Sequence, residues 1–344
     1  MSKKKAISMV LVAVLVTSII ASAALGCAAG PPAGREIRAF SAGKGSMSYV
    51  LTFALAEQIN ENSSWLRCTA LEMPSGGAGL LRLSQDPETR KTSISVYGSI
   101  DDYAAMTGAG PFKDYPYTVD IMARYFASPW VIATNNPDIK TPQDLIDKRV
   151  AVGGSESASG SNLARVLFKM WGIEGKVKPI YLGYSEAGSA LVSREVSAWV
   201  VPITGVELGK KYSTMPALTE AQQAVKLHWI SFDRDQAADY FKKNGIPFFP
   251  HQIPPGTGGG NDVPVDGVIA FVGWGCDSEM DDDVVTEISR VIYENIENFW
   301  EYHAGAKAMT REALAGFPDA EKRLHKAALK FYKEKGVTIG FQGF

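Results

Sequence analysis

The chain is poor in the groups that carry metal and covalent chemistry. Its 344 residues include three cysteines and four histidines. His228, His251, His303 and His325 lie far apart and form neither an H-x-x-x-H nor an H-E-x-x-H pair, which excludes a helical zinc-ligand pair. No G-x-S-x-G nucleophile elbow occurs. Gly258-Gly259-Gly260 lacks the Lys-Ser/Thr that completes a phosphate loop, and reads as a flexible turn. A net charge of −2 leaves no electrostatic footprint for nucleic acid. No helical repeat and no long low-complexity tract is visible. Catalytic residues, metal, cofactor and nucleic-acid partner are therefore all expected to be none.

What is present begins with a targeting segment. Lys3-Lys4-Lys5 is a basic start, and Ala6 to Leu25 is almost purely apolar. Ala24-Leu25-Gly26-Cys27 then resembles a bacterial lipobox, which makes Cys27 a lipidation site and residues 28–34 a tether. An uncleaved membrane anchor is the alternative, because about 20 apolar residues can span a bilayer. Cys68 and Cys276 remain in an extracytoplasmic chain, as a permitted disulfide or as two separate buried thiols.

From Arg35 onward, short apolar strands alternate with loops of small residues and helices. Ile37 to Phe40 is a strand, Ser41 to Ser46 a loop, and Met47 to Glu61 a helix with Val50, Leu51, Ala54, Leu55 and Ile59 on one face. Trp65 to Met73 is a strand, Pro74 to Gly79 a loop, and Leu80 begins a helix. Ser93 to Tyr97 is a third strand, closed by Gly98-Ser99-Ile100-Asp101-Asp102. The unit recurs between Asp138 and Trp171. Thr141-Pro142 opens a short helix, Arg149 to Val152 is a strand, Gly153 to Gly160 a loop rich in Ser and Gly, and a helix starts near Ser161. Further strands are expected at Trp130 to Thr134, Lys178 to Leu182, Ala198 to Val201, Leu227 to Ile230 and Val268 to Val272. Asp281-Asp282-Asp283 opens a long helix and suits its positive end rather than a metal.

This alternation predicts an α/β protein of two lobes, each a mostly parallel sheet flanked by helices, with the ligand cleft between them. Lobe I takes residues 35–133 plus 277–344, and lobe II takes residues 134–276. The strand–loop–helix junctions present unpaired N–H groups and hydroxyls, which makes them a ligand cradle.

The mature chain resembles the substrate-binding receptors of TRAP transporters, in the TAXI branch. Ile139-Lys140-Thr141-Pro142 through Lys148-Arg149-Val150-Ala151-Val152-Gly153 is similar to the family's I-K-T-x-x-D-L-x-G-K-R-V-A-V-G, with Asp147 in the usual Gly place. Ile253 to Thr257 is similar to I-P-x-G-x-Y, and His325 to Gly336 to H-x-G-A-x-x-Y-x-E-x-G. The resemblance implies a type II periplasmic-binding-protein fold that captures a small organic anion or amino acid, dicarboxylate- or glutamate-like. The loaded receptor then docks on TRAP membrane permease subunits, with a lipid anchor holding it to the membrane. Service to an ABC importer or a sensor kinase is the alternative use of such a lipoprotein.

The polar loops depart from the family pattern. Lys44 is new in the first loop, the second lacks its Asn, Gly98-Ser99-Ile100-Asp101 replaces a Gln-Ser-Asp, and Ser155 to Gly160 replaces a Pro-Gly-Ser-Gly. Ligand contacts are expected from Gly43, Lys44, Tyr49, Ser75, Gly76, Gly77, Ser99, Ser155, Ser157, Ser159, Gly160, Tyr184 and Thr204. Ser161 and Ser185 are further candidates. Lys44 either pairs with a ligand carboxylate or is solvated. Tyr49 either walls the cleft or packs in lobe I. Glu156 either holds a ligand ammonium, caps the helix or points to water.

Overall fold

A computed structural model describes residues 34–207, 211–256 and 261–341. The leader with its lipobox, Cys27, residues 28–33 and the Gly258 to Gly260 turn lie outside the described residues. No helix among the described residues is long and apolar enough to cross a membrane.

The first part runs β1 (Arg35–Phe40), α1 (Met47–Asn62), β2 (Leu66–Leu71), α2 (Gly76–Gln85), β3 (Ser93–Gly98) and α3 (Ser99–Met106). A 15-residue strand, β4 (Asp120–Thr134), leads into the second part. There follow β5 (Arg149–Gly153), α4 (Ser159–Met170), β6 (Lys178–Tyr181), α5 (Tyr184–Val192) and β7 (Ala198–Pro202). Next come β8 (Thr204–Glu207), β9 (Lys211–Ser213), α6 (Pro216–Ala224), β10 (His228–Trp229) and α7 (Arg234–Lys243). The chain returns through β11 (Phe249–Ile253) and β12 (Val265–Cys276) to α8 (Asp282–Glu294) and α9 (Lys326–Glu334).

The main sheet order is β2-β1-β3-β12-β4-β7-β5-β6. Strands β1, β2 and β3 pair in parallel, as do β5, β6 and β7. Between the two parallel triplets lie β12 and β4, antiparallel to each other and to their outer neighbours β3 and β7. So the alternating units do build parallel sheet, and two long antiparallel strands join one triplet to the other.

Three apolar clusters follow this division. The largest packs Ile37, Leu51, Leu55, Ile94, Tyr125, Trp274, Val285, Ile288 and Phe299 around β1 to β3. Two more lie against β5 and β7, one around Leu163 and Leu167 of α4, the other around Leu191 of α5 and Trp199. Strand β4 contributes Tyr125 to the first cluster, Trp130 to the second and Val131 to the third. Each fully buried Leu, Ile or Phe contributes about 1.5–3 kcal/mol.

Local chemistry sets the helix starts. Ser46 caps α1 by accepting from the Tyr49 N–H at 3.1 Å, and Ser75 caps α2 by accepting from the Ala78 N–H at 3.0 Å. Thr141 and Asp144 form a capping box on the short 3₁₀ turn Pro142–Leu145.

Several expectations are corrected. Gly76 to Gly79 are the first turn of α2 rather than loop, and Ser99 opens α3 rather than a turn. Helix α4 begins at Ser159, two residues before Ser161, with Ala158 at the N-cap. Its small side chains let the turn close early. The acidic run does open α8, with Asp281 at the N-cap and Asp282 and Asp283 in the first turn, but Asp281 makes no capping hydrogen bond and pairs with Arg35, while Asp282 pairs with Lys326 at 3.2 Å. Of the two alternatives for Cys68 and Cys276, the structure has the separate buried thiols.

Candidate functional site

A cleft of about 1080 Å3, counting space open to solvent, lies where the two triplets meet. Helices α1 to α6 all begin at its wall, through Ser46 to Ser48, Ser75 and Gly76, Gly98, Ala158 to Gly160, Gly183 and Tyr184, and Thr214 and Met215. Its floor is Phe126, Ser128 and Trp130 of β4 with Ala270 and Val272 of β12. This is a consequence of topology. In a parallel strand–loop–helix unit the helix starts at the carboxyl end of the strand. The two triplets run in opposite directions, so their carboxyl edges, with the starts of α1 to α5, face each other across the middle of β4, whereas α6 follows the antiparallel strand β9. Helix starts carry partial positive charge and free N–H groups.

The two sides touch through polar groups. Ser75 Oγ and Ser155 Oγ lie 3.1 Å apart, and Ser155 Oγ lies 3.1 Å from Ser157 Oγ. Ser159 Oγ donates to Asp101 Oδ2 at 2.6 Å, and Asn162 Nδ2 donates to Asp101 Oδ1 at 2.8 Å. Arg165 holds Asn162 in turn, donating to its Oδ1 at 2.6 Å and to the Glu156 carbonyl at 2.7 Å.

Close approach explains two of the glycines. A Cβ on Gly77 would lie 1.8 Å from the Ser157 carbonyl oxygen across the cleft. A Cβ on Gly160 would lie 2.4 Å from the Val152 carbonyl oxygen.

Asp101 is the unusual group. Only 2% of it is exposed, yet it lines the cleft. Burial pushes its carboxyl up to about 7, against the hydrogen bonds from Ser159 and Asn162. Burial, with Asp101 nearby, also raises the Tyr184 phenol and keeps it protonated. His303 lines the cleft too. Its Nδ1 accepts from the Gly305 N–H at 2.9 Å, and burial lowers its pKa, so the ring is neutral at neutral pH.

Of the sequence-predicted residues, Gly43, Lys44, Ser75, Gly76, Ser159, Gly160, Tyr184 and Thr204 line the cleft. Lys44 is 74% exposed at the mouth and pairs with Glu72 at 3.4 Å. Gly77, Ser155 and Ser157 stand behind the lining, at the contact between the two sides. Tyr49 packs on Phe53 with ring centres 4.6 Å apart, outside the lining. Ser99 Oγ accepts from the Phe271 N–H at 3.1 Å, tying α3 to β12 instead of facing the cleft. Ser161 donates to the Val152 and Ser155 carbonyls and is structural. Ser185 and Glu156 are exposed to solvent. Sequence reasoning missed Asp101, Val96, Phe126, Ser128, Trp130, Thr214 and Met215 as lining.

This arrangement can surround and hold a small molecule. The residues lining the cleft offer hydroxyls, helix starts and apolar walls.

Two solved structures share the architecture. MatC (Rpa3494) from Rhodopseudomonas palustris, solved with bound malate, matches at 14% identity and a TM-score of 0.51, covering 88% of this chain and 96% of that one. A protein from Bordetella bronchiseptica RB50 matches at 13% identity and a TM-score of 0.51, covering 88% and 90%. No curated protein sequence matches the chain. The sequence profile of the NMT1-like family matches residues 40–336. With the two-lobed α/β fold of periplasmic binding proteins established, that match over most of the chain means that this protein belongs to the NMT1-like family.

Proposed function

We propose that the protein is an extracytoplasmic solute-binding receptor, not an enzyme. It captures a small carboxylated solute, an organic anion or an amino acid, and delivers it to a TRAP-type secondary transporter. Lobe I is residues 35–133 plus 277–344, lobe II is residues 134–276, and the solute sits between them. Cys27 carries the lipid that holds the receptor at the membrane.

The observation that carries this reading is the convergence of helix starts from both sides on one cleft. Free N–H groups at helix starts bind carboxylates without a full countercharge. The MatC structure was solved with malate, and a carboxylate on the same fold accords with this reading. The TRAP assignment rests on the resemblance of residues 139–153, 253–257 and 325–336 to that receptor family.

The test is a melting-temperature screen of residues 35–344 against organic acids and amino acids. A ligand at 100 times its Kd stabilises the folded state by about 2.7 kcal/mol, which raises the melting temperature measurably. A flat response across the whole panel would overturn the receptor reading. Co-expression with a TRAP permease then tests delivery, as uptake that depends on this protein.

A further inference from the structure

Asp101 and Asp102 are adjacent acids at the start of α3, and both are buried. Their surroundings differ. Asp102 is neutralised by Arg323, whose Nη1 lies 2.9 Å from its Oδ2. Asp101 has no cation within ion-pair distance among the described residues; Arg165 reaches only as far as Asn162. A carboxylate has roughly four acceptor positions. Ser159 and Asn162 fill two of them. The group borders the cleft, so its countercharge has room to arrive there.

The rest of the lining limits what that countercharge is attached to. Val96, Phe126, Trp130, Ala270, Val272 and Met215 make much of the wall apolar. Lys44 is the one cationic residue among the described lining residues, and it sits at the mouth against Glu72. A dicarboxylate that reached Asp101 would set two carboxyl groups together with no cation between them, and one held wholly by helix starts would leave Asp101 without a countercharge. An α-amino acid has the complementary pattern: an ammonium for Asp101, a carboxylate for the helix starts and an apolar side chain for the floor.

We propose that Asp101 is the counter-ion for a ligand ammonium group, so that the solute is a zwitterionic amino acid with an apolar side chain. This rests on the reading of the cleft as a receptor site for a carboxylated solute, and chooses within it. Asp101 is then the residue that sets specificity. It discriminates by charge, since a ligand ammonium stabilises the ionised carboxylate, and a ligand lacking it forgoes that ion pair.

Isothermal calorimetry tests this with L-leucine, L-methionine and L-phenylalanine as probes. The deaminated acids 4-methylpentanoate and 3-phenylpropanoate, together with malate, are the comparison set. The expected result is that at least one amino acid binds wild-type protein, and that its deaminated counterpart binds at least about tenfold more weakly. Asp101→Asn should weaken the amino acid by a similar factor and spare the deaminated acid. Malate or a deaminated acid binding as tightly as the best amino acid would overturn this proposal and leave the receptor reading standing. So would an unchanged amino-acid affinity in Asp101→Asn. No binding of any probe or of the wider acid panel would overturn both. The comparison of amino acid with deaminated acid uses wild-type protein alone, so the proposal stays falsifiable if the variant folds poorly.

Discussion

The Ser159 hydroxyl donates to Oδ2 of Asp101 at 2.6 Å, linking the first residue of α4 to the third residue of α3 across the cleft. The pair is 58 residues apart in sequence. Asn162, one turn further along α4, holds the other carboxylate oxygen. One buried acid on the β1 to β3 side therefore joins the start of a helix on the other side.

That acid makes stability depend on pH. Burial raises the Asp101 pKa from 3.8 to about 7, while Ser159, Asn162 and Arg165 oppose the shift and Asp102 reinforces it. The folded state thus holds a proton that the unfolded chain releases. The resulting stabilisation is complete below about pH 4 and is lost as pH rises through about 7. Tyr184 also senses Asp101, but stays protonated throughout. The melting temperature of wild type, relative to Asp101→Asn, should fall between pH 4 and pH 8. A difference that stays constant over this range would contradict the assignment.

Gly77→Ala should impair binding while sparing the fold. The added methyl meets the Ser157 carbonyl across the cleft at 1.8 Å, a clash that the two sides relieve by moving apart. Within α2 itself, Ala is favoured over Gly by about 1 kcal/mol. The expected outcome is a solute affinity reduced at least about tenfold, 1.4 kcal/mol or more, with a melting temperature of the free protein close to wild type. Equal affinity would show that the two sides need not meet.

How much of this was legible beforehand depended on range. Helix α1 announces itself through Leu51, Leu55 and Ile59, because helical periodicity is local. Its start, at Met47, was readable from the same run. The first half of β4 was not, because Asp120 and Arg124 interrupt its apolar pattern; Arg124 Nε donates to the distant Ala313 carbonyl at 3.0 Å, and its guanidinium lies 6.0 Å from the centre of the Phe271 ring. Asp101 read as part of a turn closing β3, and acids are common at helix starts. Its place in the site depends on Ser159 and Asn162, which pairing in the folded sheet brings to it. Ser99 and Tyr49 erred the other way: both lie beside cleft residues in sequence, but α3 and α1 rotate them off the lining.

Cys68 and Cys276 should be silent in the native state. Both are buried and free, and burial pushes Cys68 up to about 12 and Cys276 well above its ordinary value. A thiol reagent such as Ellman's should label neither cysteine in the native fragment from Arg35 onward and both in denaturant. Rapid native labelling, or no labelling in non-reducing denaturant, would contradict this.

Anchoring is tested at Cys27. Cys27→Ala should abolish incorporation of labelled lipid and release the protein from the membrane fraction. Persistent attachment would instead favour an uncleaved apolar anchor over residues 6–25.

The central claim is that the cleft holds one small carboxylated solute. Native mass spectrometry of the wild-type protein beside Gly77→Ala, each incubated with the acid and amino-acid panel, tests it most directly. The account predicts one solute per wild-type chain and a strongly reduced bound fraction on the variant. A wild-type chain that stays bare, or two proteins occupied alike, would contradict it.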